Sequence, residues 1–155
     1  MRETLLIVDA ANVVGSRPDG WWRDRIGATA RLVATIGELV GRTVEGPAGE
    51  QLLIVAIEAV LEGQARGVQD PAIAGLRLVR ADRDGDGTIA DLAWRRGIAA
   101  RPSGLEGPAS SWSRSSSSTM VIVVTADRGL RARLPADVAV AGPRWMLDLS
   151  RSAHG

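Results

Sequence analysis

Three stretches of this chain are apolar almost without interruption: Thr4–Val8, Leu52–Ile57 and Met120–Val124, with a shorter fourth at Leu76–Val79. A strand with one wet face alternates apolar and polar residues, so a run without alternation predicts a strand covered on both faces. Helix-like segments separate these runs. From Trp22 the apolar positions 22, 26, 30, 33, 36 and 40 recur at spacings of three and four, and Gly41 is a natural stop. Residues 88–99 predict a second helix with Ile89, Leu92, Ala93 and Ile98 inward. Gly129–Leu134 starts a short helix, Val138–Val140 a last strand and Pro143–Ser150 a last helix. Four or five strands alternating with helices predict an α/β fold: a parallel sheet between helices, three layers in a Rossmann-like order. At 155 residues, 45% of them hydrophobic, the chain is sized for one such domain over 1–155. Gly15–Gly20, Glu45–Glu50 and Asp82–Gly87 read as loops. The Ser/Gly/Pro-rich stretch 101–118 cannot build a core and is expected to be flexible.

What the chain lacks narrows its chemistry. It has no cysteine and one histidine, His154, the penultimate residue. Disulfides, thiolate zinc sites, cysteine nucleophiles and imidazole bases are thereby set aside. All 19 cations are arginine, so a lysine-bearing phosphate loop is excluded too. No glycine-rich dinucleotide fingerprint follows the first strand, and the Asp-x-Asp of haloacid-type phosphatases fails at Ala11. No apolar run reaches membrane length and none resembles a secretion signal, so a cytoplasmic protein with no membrane partner is expected. Carboxylates, amides, hydroxyls and guanidinium groups remain.

Ligands of open parallel sheets bind beyond the carboxyl ends of the strands, and three acidic clusters fall there. Asp9 closes the first strand, Asp82, Asp84 and Asp86 follow the third, and Asp127 follows the fourth. Such strand ends lie roughly 5–10 Å apart, neighbouring strands being about 4.8 Å apart. Asp9, Asp86 and Asp127 can therefore converge. Gathered carboxylates repel unless a cation sits among them, and Mg²⁺ or Mn²⁺ takes oxygen ligands while keeping water positions open. Such an ion activates water and stabilises charge on a phosphoryl group. Each acid alone is more often a turn former or helix cap than a ligand, Asp127 before Arg128-Gly129-Leu130 among them; it is the three clusters together that point to a cation. Asn12, three residues after Asp9, is placed to hold a water or phosphate oxygen.

Val-Asp-Ala-Ala-Asn at 8–12, Gly-Asp-Gly-Thr-Ile-Ala-Asp-Leu at 85–92 and Val-Val-Thr-Ala-Asp-Arg-Gly-Leu at 123–130 resemble the three acidic motifs of the NYN domain, a family of PIN-like metal-dependent ribonucleases. The closing Gly142-Pro143-Arg144-Trp145 is similar to the end of bacterial members. The resemblance implies a PIN-like fold and an RNA-hydrolysing activity using Mg²⁺ or Mn²⁺. It implies Asp9, Asp86 and Asp127 as metal ligands, with Asn12 beside them. Many relatives carry a second acid after the middle one. Here that position is Gly87, with Asp84 or Asp91 placed to compensate.

Two other readings compete. Asp82-Arg83-Asp84-Gly85-Asp86-Gly87-Thr88-Ile89 matches the first eight positions of an EF-hand loop, but the twelfth, normally a bidentate Glu, is Ala93. A calcium-binding loop on Asp82, Asp84 and Asp86 is the weaker alternative. A non-catalytic RNA-binding module on the same fold is the stronger one. Arg17, Arg23 and Arg25 after the Asn12 loop, and Arg128, Arg131 and Arg133 after Asp127, are candidate phosphate contacts; each group reads equally as a solvated helix face. Of the adjacent Trp21 and Trp22, one is expected to pack inward while the other is exposed, where an indole can stack on an unpaired base or equally serve a hydrophobic interface. The oligomeric state is open, a homodimer included.

Overall fold

The computed structural model describes residues 2–16, 20–100 and 119–152, the side chains of residues 21 and 98–100 apart. The chain runs β1 (Arg2–Asp9), α1 (Ala10–Gly15), a 3-10 turn (Trp21–Arg23), α2 (Arg25–Gly37), β2 (Thr43–Glu45), β3 (Gln51–Leu61), a second 3-10 turn (Gly63–Gly67) and β4 (Leu76–Arg80). It continues through α3 (Gly85–Ala100), β5 (Met120–Val124), α4 (Arg128–Arg131), β6 (Ala139–Ala141) and α5 (Pro143–Ser152). The result is a mixed α/β fold on a mostly parallel sheet.

β1 lies between β3 and β5 and runs parallel to both. β4 extends the sheet beyond β3, and β6 extends it beyond β5, again in parallel. β1 buries both faces, which is why it does not alternate. Leu6 and Val8 point to one side with Val13, Leu32, Val33, Ile36 and Met146 from α1, α2 and α5. Ile7 points to the other with Val121, Val123, Ile89, Ala93 and Leu130 from β5, α3 and α4. Leu6, Ile7, Ile36, Ile57, Ile89 and Ile122 are fully buried, each worth roughly 1.5–3 kcal/mol in removed apolar surface. No helix among the described residues is long and apolar enough to cross a membrane.

Several boundaries differ from those the sequence predicts. β3 continues four residues past Ile57, because Glu58 does not end it. That carboxylate is buried and accepts from Arg96 Nε at 2.7 Å and Nη2 at 3.0 Å, with Arg77 Nη1 3.6 Å away. Charge-paired, Glu58 stays in the strand, and Ala59, Val60 and Leu61 bury beyond it. β2 was not expected: it is three residues long and pairs antiparallel with Gln51–Leu53. α1 occupies what reads as the approach to a loop. α2 is shorter than the 22–40 periodicity suggests, because Asp24 caps it through the Gly27 N–H at 2.9 Å. Trp22 therefore belongs to the separate turn and is 58% exposed. α3 begins at Gly85, so Asp86 and Gly87 are helical, and Asp84 Oδ1 accepts from the Gly87 N–H at 2.7 Å. The chain enters β4 through Gly75, at φ +85°, where a Cβ would stand 2.5 Å from Val40 Cγ1; only glycine fits both demands. The 101–118 segment and His154 lie outside the described residues.

Candidate active site

The register of the sheet assembles the site. Asp9 pairs with Val60 of β3, and its predecessor Val8 pairs with Val124 of β5. One residue further along β5 is Thr125, and two further along β3 from Val60 is Glu62. Both thus flank the end of β1.

Asp9 is 6% exposed. Its Oδ1 accepts from the Asn12 N–H at 3.3 Å, capping α1, and its Oδ2 accepts from the Thr125 hydroxyl at 3.1 Å. The same Thr125 oxygen accepts from the Asp127 N–H at 3.1 Å, and Asn12 Oδ1 accepts from the Ala126 N–H at 2.8 Å. These four bonds lock the β5 exit against α1. Asp127 Oδ1 accepts from the Leu130 N–H at 3.0 Å and caps α4. Asp9 and Asp127 are therefore both helix caps, linked through the Thr125 hydroxyl.

Burial pushes the Asp9 carboxyl up to about 6, against the pull of its bonds from Asn12 and Thr125, and Glu62 and Asp86 raise it further. Asp86, in the first turn of α3, is raised first by burial, then by Asp127, Glu62 and Asp84; a hydrogen bond with the Asp127 carboxyl adds to this. Asp86 thus lies within electrostatic reach of both Asp9 and Asp127, and Asp84 acts on Asp86.

Glu62 is the acid that sequence reasoning missed. It follows β3 directly, and its Oε2 accepts from the Gly85 N–H at 2.5 Å, tying the end of β3 to the start of α3. The available signal was the apolar Ala59-Val60-Leu61, which resumes the strand after Glu58.

Other candidates stand apart. Asp91 is exposed on α3 and is not among the charges acting on Asp9 or Asp86. Asp82 is exposed likewise. Because β4 precedes Asp82 and α3 already begins at Gly85, Asp82–Gly87 is a short strand-to-helix turn running into the first turn of α3, without the helix–loop–helix frame of an EF-hand. Arg23, Arg128, Arg131 and Arg133 are exposed. Arg131 Nη2 donates to the Thr125 carbonyl at 3.1 Å, beside the acids. Arg133 Nη2 comes within 3.8 Å of where a Cβ on Gly87 would stand, and the Arg133 carbonyl accepts from Trp94 Nε1 at 2.9 Å. Arg17 and the Trp21 side chain lie outside the described residues.

The donors are all hard oxygens, which suits Mg²⁺ or Mn²⁺ over softer metals. Among the described residues, no group of three or more His, Cys, Asp or Glu side chains is arranged to hold an ion. Mg²⁺ usually takes one or two carboxylates and completes its shell with water and phosphate oxygens, so a looser acid set is within its habits.

No family model matches the chain, and no curated protein matches it. Among solved structures it is similar to a mutant of Rae1 (YacP) from Bacillus subtilis, at 15% identity and a TM-score of 0.57. That likeness covers 97% of this chain and 77% of the other. It is a likeness of fold.

Proposed function

We propose that this protein is a Mg²⁺- or Mn²⁺-dependent ribonuclease with a three-layer, PIN-like NYN domain, hydrolysing RNA phosphodiester bonds at the strand-end acids. One observation carries the reading: Asp9, Glu62, Asp86 and Asp127, from distant parts of the sequence, crowd until burial and mutual repulsion hold two of them above the usual carboxylate range. Their caps and hydrogen bonds serve the fold one by one, but mutual repulsion does not, whereas a metal and phosphate site needs gathered acids. The fold shared with Rae1 and the three acidic motifs support the same reading.

Asp9, Asp86 and Asp127 would hold the ion, with Glu62 and Asp84 beside them. Bound there, the ion would supply an activated water and neutralise charge on the phosphoryl group. The Thr125 hydroxyl orients Asp9 by donating to its Oδ2, and its Oγ1 accepts from the Asp127 N–H, fixing that backbone. Asn12 keeps its amide nitrogen for a water or phosphate oxygen, its Oδ1 being held by Ala126. Arg128, Arg131 and Arg133 would bind flanking phosphates of the RNA.

The test is cleavage of single-stranded RNA by the purified protein. Turnover is expected with Mg²⁺ or Mn²⁺ and none with EDTA, and Asp9→Asn should lower the rate by orders of magnitude while the protein stays folded. Unchanged turnover in Asp9→Asn contradicts the proposal. Gly87, where a second acid is absent, favours the other reading, an RNA-binding module without cleavage. RNA binding with no divalent-dependent turnover in the wild type would select it.

A further inference from the structure

Next to the acids the structure holds a cavity of about 670 Å³ that the mechanism above does not use. One wall is apolar and made of small side chains: Ala11 and Val14 on α1, and Ala65 in the turn after β3. Thr29 of α2 adds a hydroxyl-bearing side chain. Two guanidinium groups line it as well, Arg25 at the start of α2 and Arg83 in the turn before α3. Its remaining polar lining includes Glu62 and Asp84, the acids whose charge acts on Asp86. The cavity and the acid cluster therefore share a border.

We infer that this cavity receives one nucleoside unit of the RNA strand, the unit next to the phosphodiester lying at the acids. The inference takes its ligand class from the nuclease reading and rests on it. The volume falls within the roughly 300–1,000 Å³ of small-ligand pockets. Small apolar side chains along one wall leave a face for a flat base, which dispersion and removal from water favour. Arg83 presents a planar fork that matches phosphate oxygens, the groups that flank every nucleoside in a strand. Glu62, on the border, can accept from ribose hydroxyls. A purely anionic ligand is disfavoured because two carboxylates line the same space. A lipid-like ligand is disfavoured because four charged side chains do. A base with its sugar and phosphates meets each of these surfaces with its complement.

The experiment is a two-dimensional NMR titration of the whole protein, without divalent ions, using AMP, GMP, CMP and UMP in turn. Inorganic phosphate and ribose 5-phosphate are the controls. At least one nucleotide is expected to shift the amide signals of Ala11, Val14, Thr29, Gly63 and Ala65, and to bind about tenfold or more tightly than either control. Arg83→Ala, at an exposed position, should weaken that binding about tenfold through loss of a charge-assisted hydrogen bond. Ala11→Met, which fills the cavity, should abolish the shifts; should it fail to fold, Arg83→Ala decides alone. The assignment is overturned if no nucleotide shifts those signals, if phosphate alone does so equally, or if Arg83→Ala leaves affinity unchanged. Cleavage assays in parallel separate the two claims. Divalent-dependent cleavage without cavity shifts overturns this inference only, whereas cavity shifts without cleavage overturn the nuclease reading.

Discussion

At Asp9 the fold gives up stability. Its ordinary value of 3.8 rises to about 6 in the folded protein, so the folded state binds that proton more tightly than the unfolded state does. In metal-free protein its contribution is then most favourable below pH 4 and is lost as pH rises through 6. The loss is on the order of 3 kcal/mol. Urea unfolding in EDTA should show this fall between about pH 4 and 6, apart from other titrating groups. Asp9→Asn should remove the slope and gain about 1–2 kcal/mol at pH 7.5, less than the full amount because an amide replaces one accepting oxygen. An Asp9→Asn protein less stable than wild type at that pH would mean that the carboxylate is there to hold the fold. Asp9, Asp86 and Asp127 were legible in the sequence because each follows a strand or opens a helix directly. Glu62 was hidden by Glu58, a charge that looks like a strand end until its two arginine partners are seen. Nothing in the sequence spacing reveals those partners, since Arg96 lies 38 residues away.

Among the elements, α3 matters most, since it carries Asp86. It is fastened to the sheet at two points: the Glu62–Gly85 bond at its start and the Glu58–Arg96 pair further along. Removing one partner of a buried pair strands the other charge. Arg96→Ala should therefore cost about 2 kcal/mol in chemical unfolding, moderated by Arg77, while the double variant Glu58→Leu/Arg96→Leu should recover most of it. Equal losses in the single and double variants would show that the pair is not the fastening. The four-residue α4 carries Arg128 and Arg131, with Arg133 just beyond. If these meet RNA phosphates, Arg128→Ala with Arg133→Ala should flatten the salt dependence of RNA binding by roughly 0.7 in log–log slope per lost contact. An unaltered slope would leave them as solvated charges. The long elements were legible because burial on two faces, or on one stripe, writes a period into many residues. α1, β2 and the 3-10 turns are too short to hold a period, and pairing and caps formed in three dimensions define them.

Across the whole molecule, strand order is what gathers the acids. β1 lies between β3 and β5 in parallel, so the ends of three strands and the start of α3 meet on one edge, and acids 118 residues apart in sequence become neighbours (Asp9 and Asp127). The sequence implied a parallel sheet but not which strands adjoin, because unbroken apolar runs are interchangeable in their burial. That adjacency separates a centre built across the sheet from a loop that binds an ion by itself. Calorimetric titration of Mn²⁺ into the metal-free protein decides between them most directly. A centre built across the sheet predicts binding in wild type, its loss in both Asp9→Asn and Asp86→Asn, and near wild-type binding in Asp82→Asn. Binding that survives in Asp9→Asn and disappears in Asp82→Asn would contradict it.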